Sequence, residues 1–187
     1  MRKFFLGAAL LLAGLISGCD QFKGVSISEE LINSYLAKHI HYQKQIELHG
    51  IANADIELTE LSSQIGRPEP NKIALTGRAN VTITSLLGPA KAEMKLTLKA
   101  QPVFEQEKEA IFLKELEIVD YQITPEKMEK PINALVPYLN KSLNSFFDTH
   151  PVYVLKPEHS KAEAAAKTLA ERLEVKPGKL FITLTDK

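Results

Sequence analysis

Few side chains of this sequence could do covalent chemistry, and the first of them is Cys19, the only cysteine among 187 residues. A lone thiol can act as a nucleophile or a metal ligand, but it cannot form a disulfide within its own chain. Five histidines are present, and His39 and His41 could ligate zinc together from a strand. The pattern around them is helical, and residues two apart on a helix point about 200° apart, so we predict no metal site.

Motifs for catalysis are missing as well. The sequence has no Gly-x-Ser-x-Gly elbow, no Ser-x-x-Lys pair and no glycine-rich phosphate loop. Glu115, Glu117 and Asp120 lie on a predicted strand and could pair as acid and base. The alternative, which we favour, is that they line a solvated sheet face beside the lysines of the neighbouring strand. We therefore predict a protein that is not an enzyme, with no catalytic residues and no dissociable cofactor.

The residues before Cys19 indicate export. Two basic residues, Arg2 and Lys3, precede an apolar run over residues 4–16, and small residues follow. As a helix that run reaches about 20 Å, which is short of the ~30 Å hydrocarbon core of a bilayer. Residues 1–18 are therefore predicted to be a signal peptide. Without Arg2 and Lys3 the chain keeps 21 basic and 23 acidic side chains, and this balance lacks the basic surface of a nucleic-acid binder.

The segment Leu15-Ile16-Ser17-Gly18-Cys19 resembles the lipobox of bacterial lipoproteins. The resemblance implies cleavage before Cys19 by the lipoprotein-processing machinery, a diacylglyceryl group on its thiol and an acyl group on its new amino terminus. Asp20, with Gln21 next, resembles the enterobacterial signal that keeps lipoproteins at the inner membrane. It implies a location on the periplasmic face of that membrane, or on the outer membrane if the host sorts by another rule. The alternative is an ordinary secretory signal that happens to contain a cysteine.

After a lipidated tether over residues 19–25, residues 26–187 are predicted to form a single domain. Ser26 and Glu29 have the spacing of a capping box, and the helix that they begin shows one apolar face to about Gln45. The period then changes to two over residues 50–65, 73–87, 92–100 and 110–123, which predicts four strands in a meander. Slips in the alternation near Thr59-Glu60 and Ile118-Val119 predict bulges.

A second helical pattern follows the strands. Thr124 and Pro125 can begin a long helix, and Pro131 and Pro137 inside the pattern predict a kink or two pieces. Residues 152–155 predict a short strand, 160–173 a helix and 179–185 a last strand. The predicted fold class is α+β. A strongly curved antiparallel sheet of four or more strands wraps a long amphipathic helix, with an N-terminal helix and a C-terminal strand-helix-strand unit.

Five short segments resemble the YceB-like lipoproteins, a bacterial family of unassigned function. They are residues 61–67 (LSSQIGR), 69–72 (EPNK), 110–116 (AIFLKEL), 137–140 (PYLN) and 175–178 (VKPG). The resemblance runs from the signal to the carboxyl terminus. It implies a fold like the BPI-like, or tubular lipid-binding, modules, in which a twisted sheet curls around a long helix. A lipid ligand follows from it by fold analogy only.

Two functions remain open from the sequence. In the first, sheet and helix leave a dry slot, and the protein is a membrane-anchored periplasmic module that binds lipid or another apolar ligand. In the second, the core is filled, and the protein is a tethered interaction or scaffold protein of the envelope. Small residues such as Gly77, Ala79, Ala92 and Ala100 would suit either a slot or tight packing. The candidate slot residues are Leu75, Ala79, Val81, Ile83, Met94, Leu96, Leu98, Ile132, Leu135 and Leu139.

Overall fold

The computed structural model describes residues 24–48 and 52–185. The predicted signal peptide, Cys19, and the sorting residues Asp20 and Gln21 lie outside the described residues. The described elements are, in chain order, β1 Gly24–Ser28, α1 Glu29–His39, β2 Gln43–Leu48, β3 Ala52–Ile65, β4 Ile73–Ser85, β5 Gly88–Glu105, β6 Ala110–Thr124, α2 Glu129–Asn133, α3 Val136–Thr149, β7 Tyr153–Val154, α4 Lys161–Leu169, β8 Ala170–Lys176 and β9 Lys179–Leu184.

The main layer is a six-stranded antiparallel sheet in the order β2-β3-β4-β5-β6-β7. Its long strands alternate because successive side chains point to opposite faces, and β4 and β5 bury every second residue over most of their length. Leu75 pairs with Leu98 and Ala79 with Met94, so apolar rows continue from strand to strand on the inner face. The predicted fold class, with its curved antiparallel sheet and long helix, is confirmed.

Both predicted bulges are present. The pairing of β3 with β4 shifts between Leu58 and Glu60. The pairing of β5 with β6 shifts between Asp120, which pairs with Thr97, and Ile118, which pairs with Leu98. Each bulge adds one residue to its strand, so the apolar residues that point inward lie at even-numbered positions just before it and at odd-numbered positions just after it. The slips in the sequence pattern therefore located real irregularities of the sheet.

Helices cover the two edges of the sheet that the short strands leave open. On one edge, Glu29 of α1 accepts a hydrogen bond from the Ile65 amide (2.8 Å) and Asn33 accepts one from the Ser63 amide (2.6 Å). On the other, Asn140 of α3 accepts one from the Ile118 amide (2.7 Å). These side chains satisfy backbone donors that an uncovered edge would present to another chain.

The long helix is broken, as its prolines predicted. A 3₁₀ turn at Glu126–Met128 leads into α2, and α3 begins after Ala134 and Leu135 with Pro137 in its first turn. The predicted helix start is wrong, however. Thr124 still belongs to β6, and Pro125 has extended backbone angles.

The structure corrects four other expectations about boundaries. Ser28, and not Ser26, caps α1, because Ser26 lies in β1, which begins inside the predicted tether. Helix α1 ends at His39, and residues up to Leu48 form β2. Helix α4 ends at Leu169, and β8 replaces the predicted last turn. Strands β1, β9 and β8 form a second, three-stranded sheet in that order.

One hydrophobic core joins both sheets and the helices. It includes Ile27 and Leu180 of the small sheet, Leu98 of the large sheet, and Leu36 and Phe147 of the helices, all at most 1% exposed. Tyr42, just after α1, meets Phe146 of α3 edge to face with ring centroids 5.3 Å apart. Among the described helices, none combines the length and the apolar character needed to cross a membrane.

Candidate functional site

The ten candidate slot residues do come together. Seven lie on the inner face of β4 and β5, while Ile132 lies on α2, Leu139 on α3 and Leu135 at the junction between the two helices. All ten are buried, nine of them at 2% exposure or less and Ile83 at 7%. The structure therefore places this set between the sheet and the broken helix, where the sequence pattern put it.

The space between these residues is filled. A void that could hold a water molecule would appear as accessible surface on the side chains around it, and nine of the ten have at most 2% of theirs. An acyl chain needs a wider channel still. The small residues do not leave gaps either. A methyl group added at Gly77 would lie 3.2 Å from Leu58 Cδ1 and 3.1 Å from the Glu60 carbonyl oxygen. In this arrangement the small residues permit close packing, and a ligand would enter only if helix and sheet moved apart.

Two hollows on the surface lie elsewhere. One, of about 390 Å³, sits over polar side chains of β2, β3 and β4, among them Gln45, Asp55, Glu57 and Asn80. The other, of about 280 Å³, lies where the end of β5 meets β8, between Phe104 and Arg172. Neither hollow is lined by any of the ten slot residues.

Tyr42 is a buried polar group that sequence reasoning missed. Its side chain is 3% exposed, and its hydroxyl is the one buried side-chain atom in the described part of the chain that lacks a well-formed hydrogen bond. Burial raises the pKa of Tyr42, and the nearby Ser142 hydroxyl offsets this in part. The sequence pattern predicted a helix through this position, to about Gln45, and tyrosine is equally suited to a buried or an exposed place, so its burial was not foreseen.

A second buried polar group is fully paired. The Glu163 carboxylate, 7% exposed, accepts hydrogen bonds from the Tyr153 hydroxyl (3.3 Å) and the Lys156 amide (2.6 Å). Burial and the negative charge of Glu163 raise the pKa of Tyr153 to about 12. Because its donors close the loop before α4, this carboxylate has a structural role.

The other residues considered for chemistry are dispersed. Glu115, Glu117 and Asp120 are exposed, and Glu115 forms an ion pair with Lys72 at 3.6 Å. His39 stacks on Tyr35 within α1. No group of three histidine, cysteine, aspartate or glutamate side chains comes together among residues 24–48 and 52–185 in a way that could hold a metal ion.

An exposed apolar point lies at the far end of the large sheet. Ser85 pairs with Gly88, and the two residues between them, Leu86 and Leu87, are 95% and 99% exposed. We call these two residues the hairpin tip. The sequence predicts a turn over Leu86-Leu87-Gly88-Pro89-Ala90, but its alternation also places Leu87 in the same inward row as Leu75, so the exposure of both leucines was not expected.

Comparison with known proteins matches this chain to one family and to lipoproteins of enteric bacteria. The model of DUF1439, described as a protein of unknown function, matches residues 27–179. The "Uncharacterized lipoprotein YceB" of Escherichia coli K12 is 53% identical over 186 residues, with both chains covered in full. The protein of the same name from Salmonella typhimurium LT2 is also 53% identical over full length. A crystal structure of lipopolysaccharide binding protein aligns at 10% identity over 85% of this chain and 48% of that one, with a TM-score of 0.27, a likeness too slight to carry an argument.

Proposed function

Because this chain belongs to the DUF1439 family, and its full-length relatives are lipoproteins, we propose that it is a lipid-anchored module of the cell envelope that acts through its outer surface. It is held on the periplasmic face by acyl groups on Cys19. The domain binds a partner and catalyses no reaction. The observation that carries this proposal is the contrast between the filled interior at the ten slot residues and the exposed hairpin tip.

The anchor brings the domain close to its membrane. Strand β1 begins at Gly24, five residues after Cys19, and five residues span at most about 17 Å. Two or more acyl chains hold a protein stably, whereas one holds it marginally. The end of the domain that contains Gly24 therefore lies within a short distance of the bilayer.

A slot for lipid is the second candidate function, and one observation favours it. The unpaired hydroxyl of Tyr42 would gain a partner if a ligand head group entered between α3 and the sheet. Ala134 and Leu135, between α2 and α3, offer a break at which the helix could move. The closed packing of Leu98 and Leu139 would have to open for this to happen.

Native mass spectrometry of the lipoprotein extracted in mild detergent separates the two candidates. We expect the mass of the chain plus its covalent acyl groups, with no further lipid. One retained lipid per chain would favour the slot, provided that it persists in a Leu86→Ser, Leu87→Ser variant. That variant serves as the control, because it removes the apolar tip to which a lipid could adhere from outside.

Cys19→Ala tests the anchor. The substitution removes the one thiol that can be acylated, so we expect no incorporation of radiolabelled palmitate and no lipid-anchored product. Ser17→Ala, which keeps a small residue before the cysteine, is the matched control and should label as the wild type does. Equal labelling of Cys19→Ala and wild type would end the proposal.

Asp20 and Gln21 lead us to propose the inner membrane as the site of anchoring. In a sucrose gradient the wild type should sediment with the inner membrane, and Asp20→Ser should move it toward the outer one. A wild type found in the outer-membrane fraction would show that the host does not read this aspartate.

A further inference from the structure

The hairpin tip is a fixed, convex apolar point. The Ser85 hydroxyl oxygen accepts a hydrogen bond from the Leu87 amide at 3.2 Å, and the strands on either side stay in register from Ser85 and Gly88 onward. The turn is therefore held, and both leucines project into solvent. A single exposed leucine is ordinary on a protein surface, but two adjacent ones at almost full exposure, on a rigid protrusion, are not.

The surroundings of the tip suit entry into an apolar phase. Residues 81–90, which make up the hairpin end, contain no charged side chain, and the nearest charges along the two strands are Arg78 and Lys91. Inserting the turn at residues 85–88 would therefore remove no ion from water, which is the costly part of burying a protein surface in lipid. On the neighbouring strands, Asp55 lies opposite Thr82 and Glu47 opposite Asn53, so the insertion has to stop short of these carboxylates. The basic side chains stand back along the strands, where they could remain in the head-group region.

The tip lies at the opposite end of the molecule from the tether. Strand β4 has thirteen residues, from Ile73 to Ser85, and spans about 40 Å at the usual rise of a strand. The sheet that contains Gly24 contacts the other end, where the Gly178 amide donates to the Ile65 carbonyl oxygen at 2.9 Å. A tether of at most about 17 Å cannot bring that end far from the membrane. The tip reaches the same bilayer if the long axis of the sheet lies along the surface.

We propose that Leu86 and Leu87 insert into the bilayer that holds the Cys19 lipid, so that the protein has two membrane contacts and one orientation. This inference rests on the proposed anchoring. Two leucines alone would bind a membrane weakly, but the anchor makes their insertion an intramolecular step at high effective concentration.

A bilayer fits this surface better than a protein groove does. The other large apolar side chains that are exposed in the described residues, Leu31, Val119 and Tyr138, belong to α1, β6 and α3 and not to the hairpin end. A stable protein interface needs an apolar core of many residues with a rim around it. A lipid surface needs no complementary shape, so the two leucines of the narrow hairpin tip can insert into it.

The test uses the full lipoprotein with one added thiol. Because lipidation consumes Cys19, Leu86→Cys carries the only free thiol, which is labelled with the fluorophore NBD. The protein is reconstituted into vesicles of phosphatidylethanolamine and phosphatidylglycerol, some of which carry nitroxide-labelled acyl chains. Lys95→Cys, exposed on β5 and eight residues from Leu87, is the matched control. We expect nitroxide quenching at position 86 to exceed that at position 95 at least threefold, and Leu87→Ser in the labelled Leu86→Cys protein to reduce it.

Flotation of the same vesicles keeps the outcomes apart. Flotation with strong quenching at position 86 supports the proposal. Flotation with equal quenching at both positions overturns the tip contact and leaves the anchor standing. Failure to float overturns the anchor and the tip contact together. Shielding of the fluorophore in native envelopes, without quenching in lipid vesicles, also overturns the proposal and points to a protein on the tip.

Discussion

Strand β4 and the turn after it place the same residue type in two opposite environments. Leu75 near one end is fully buried against Leu98 of the next strand, while Leu86 and Leu87 beyond the other end are almost fully exposed. The alternation that points Leu75 inward also points Ile83 inward, but beyond Ser85 no helix or strand among the described residues covers a side chain. The difference shows that the inward row of a strand predicts burial only as far as something packs on it.

This contrast divides the molecule into a region that stabilises the fold and a region that is free to act. Buried leucines contribute to the free energy of folding, because each removes its apolar surface from water. The exposed pair contributes little, since its surface is accessible before and after folding. Substitutions in the two regions should therefore separate the loss of stability from the loss of membrane contact.

The largest expected effect is that of Leu139→Lys in the first turn of α3. Leu139 is 2% exposed, so the variant would bury an unpaired ammonium group at a cost of several kcal/mol. For a domain stable by about 5–15 kcal/mol, we expect the melting temperature followed by circular dichroism to fall by about 10 °C or more, or the fold to be lost. Tyr138→Lys, at a neighbouring position that is 46% exposed, is the control and should melt within a few degrees of the wild type.

If Leu139→Lys melted like the wild type, the lysine would have found a path to water. That result would contradict the filled interior, and the slot would become the favoured site. Melting measured together with retention of lipid by the same variant would show which of the two candidate functions the interior serves.

A smaller effect is expected when leucine is shortened to alanine in each region. Leu98→Ala leaves a cavity in the core and should lower the free energy of unfolding by about 2–5 kcal/mol in a urea titration. Leu87→Ala should stay within about 0.5 kcal/mol of the wild type. Comparable losses at the two positions would mean that the tip packs on something in solution, and the comparison of the two regions would fail.

The smallest effect should appear only at high pH, at Tyr153. Its pKa is raised from 10.0 to about 12, so the folded state favours the neutral phenol and this contribution is complete below pH 10. It is lost as the pH rises from 10 toward 12, where the unfolded chain ionises first. Tyr153→Phe should therefore lose less stability than the wild type between pH 9 and pH 11.5, by about 1–2 kcal/mol. Identical pH profiles of the two proteins would show that the phenol titrates normally.

The elements with strong local signals were predictable from the sequence. Strict alternation located β4 and β5, the parity slips located the bulges after Leu58 and near Val119, and two prolines predicted the broken helix. The ten candidate slot residues lie together in the core because each occupies the apolar side of its own element, while their role as a slot stays a prediction. None of these inferences required knowledge of a distant contact.

Strand β1 was missed because its partner, β9, lies far along the chain. Strands β2 and β8 pair with the strands that follow them directly, and they were missed because their residues continue a helical pattern. Residues 170–176 continue an alanine-rich helical pattern, and they become extended only because β9 pairs with them. Among residues 43–47 of β2, Ile46 is the one buried residue, and the strand takes its register from β3. Whether the interior is open or filled was also out of reach, since composition permits both. The exposure of the tip was out of reach for a similar reason, because it depends on which elements extend far enough to pack on Leu86 and Leu87.

The pairing of the first described strand with the last has a consequence for the order of events during export. Gly24 lies opposite Thr183, and Ile27 lies opposite Leu180. Strand β1 can therefore pair only after almost the entire chain has been delivered. In a protein that crosses the membrane amino terminus first, the segment after Cys19 therefore stays unpaired while the rest is translocated. On the proposed anchoring, lipid modification of Cys19 would precede the pairing of β1, and the small sheet would be completed only when the carboxyl-terminal strand β9 arrives.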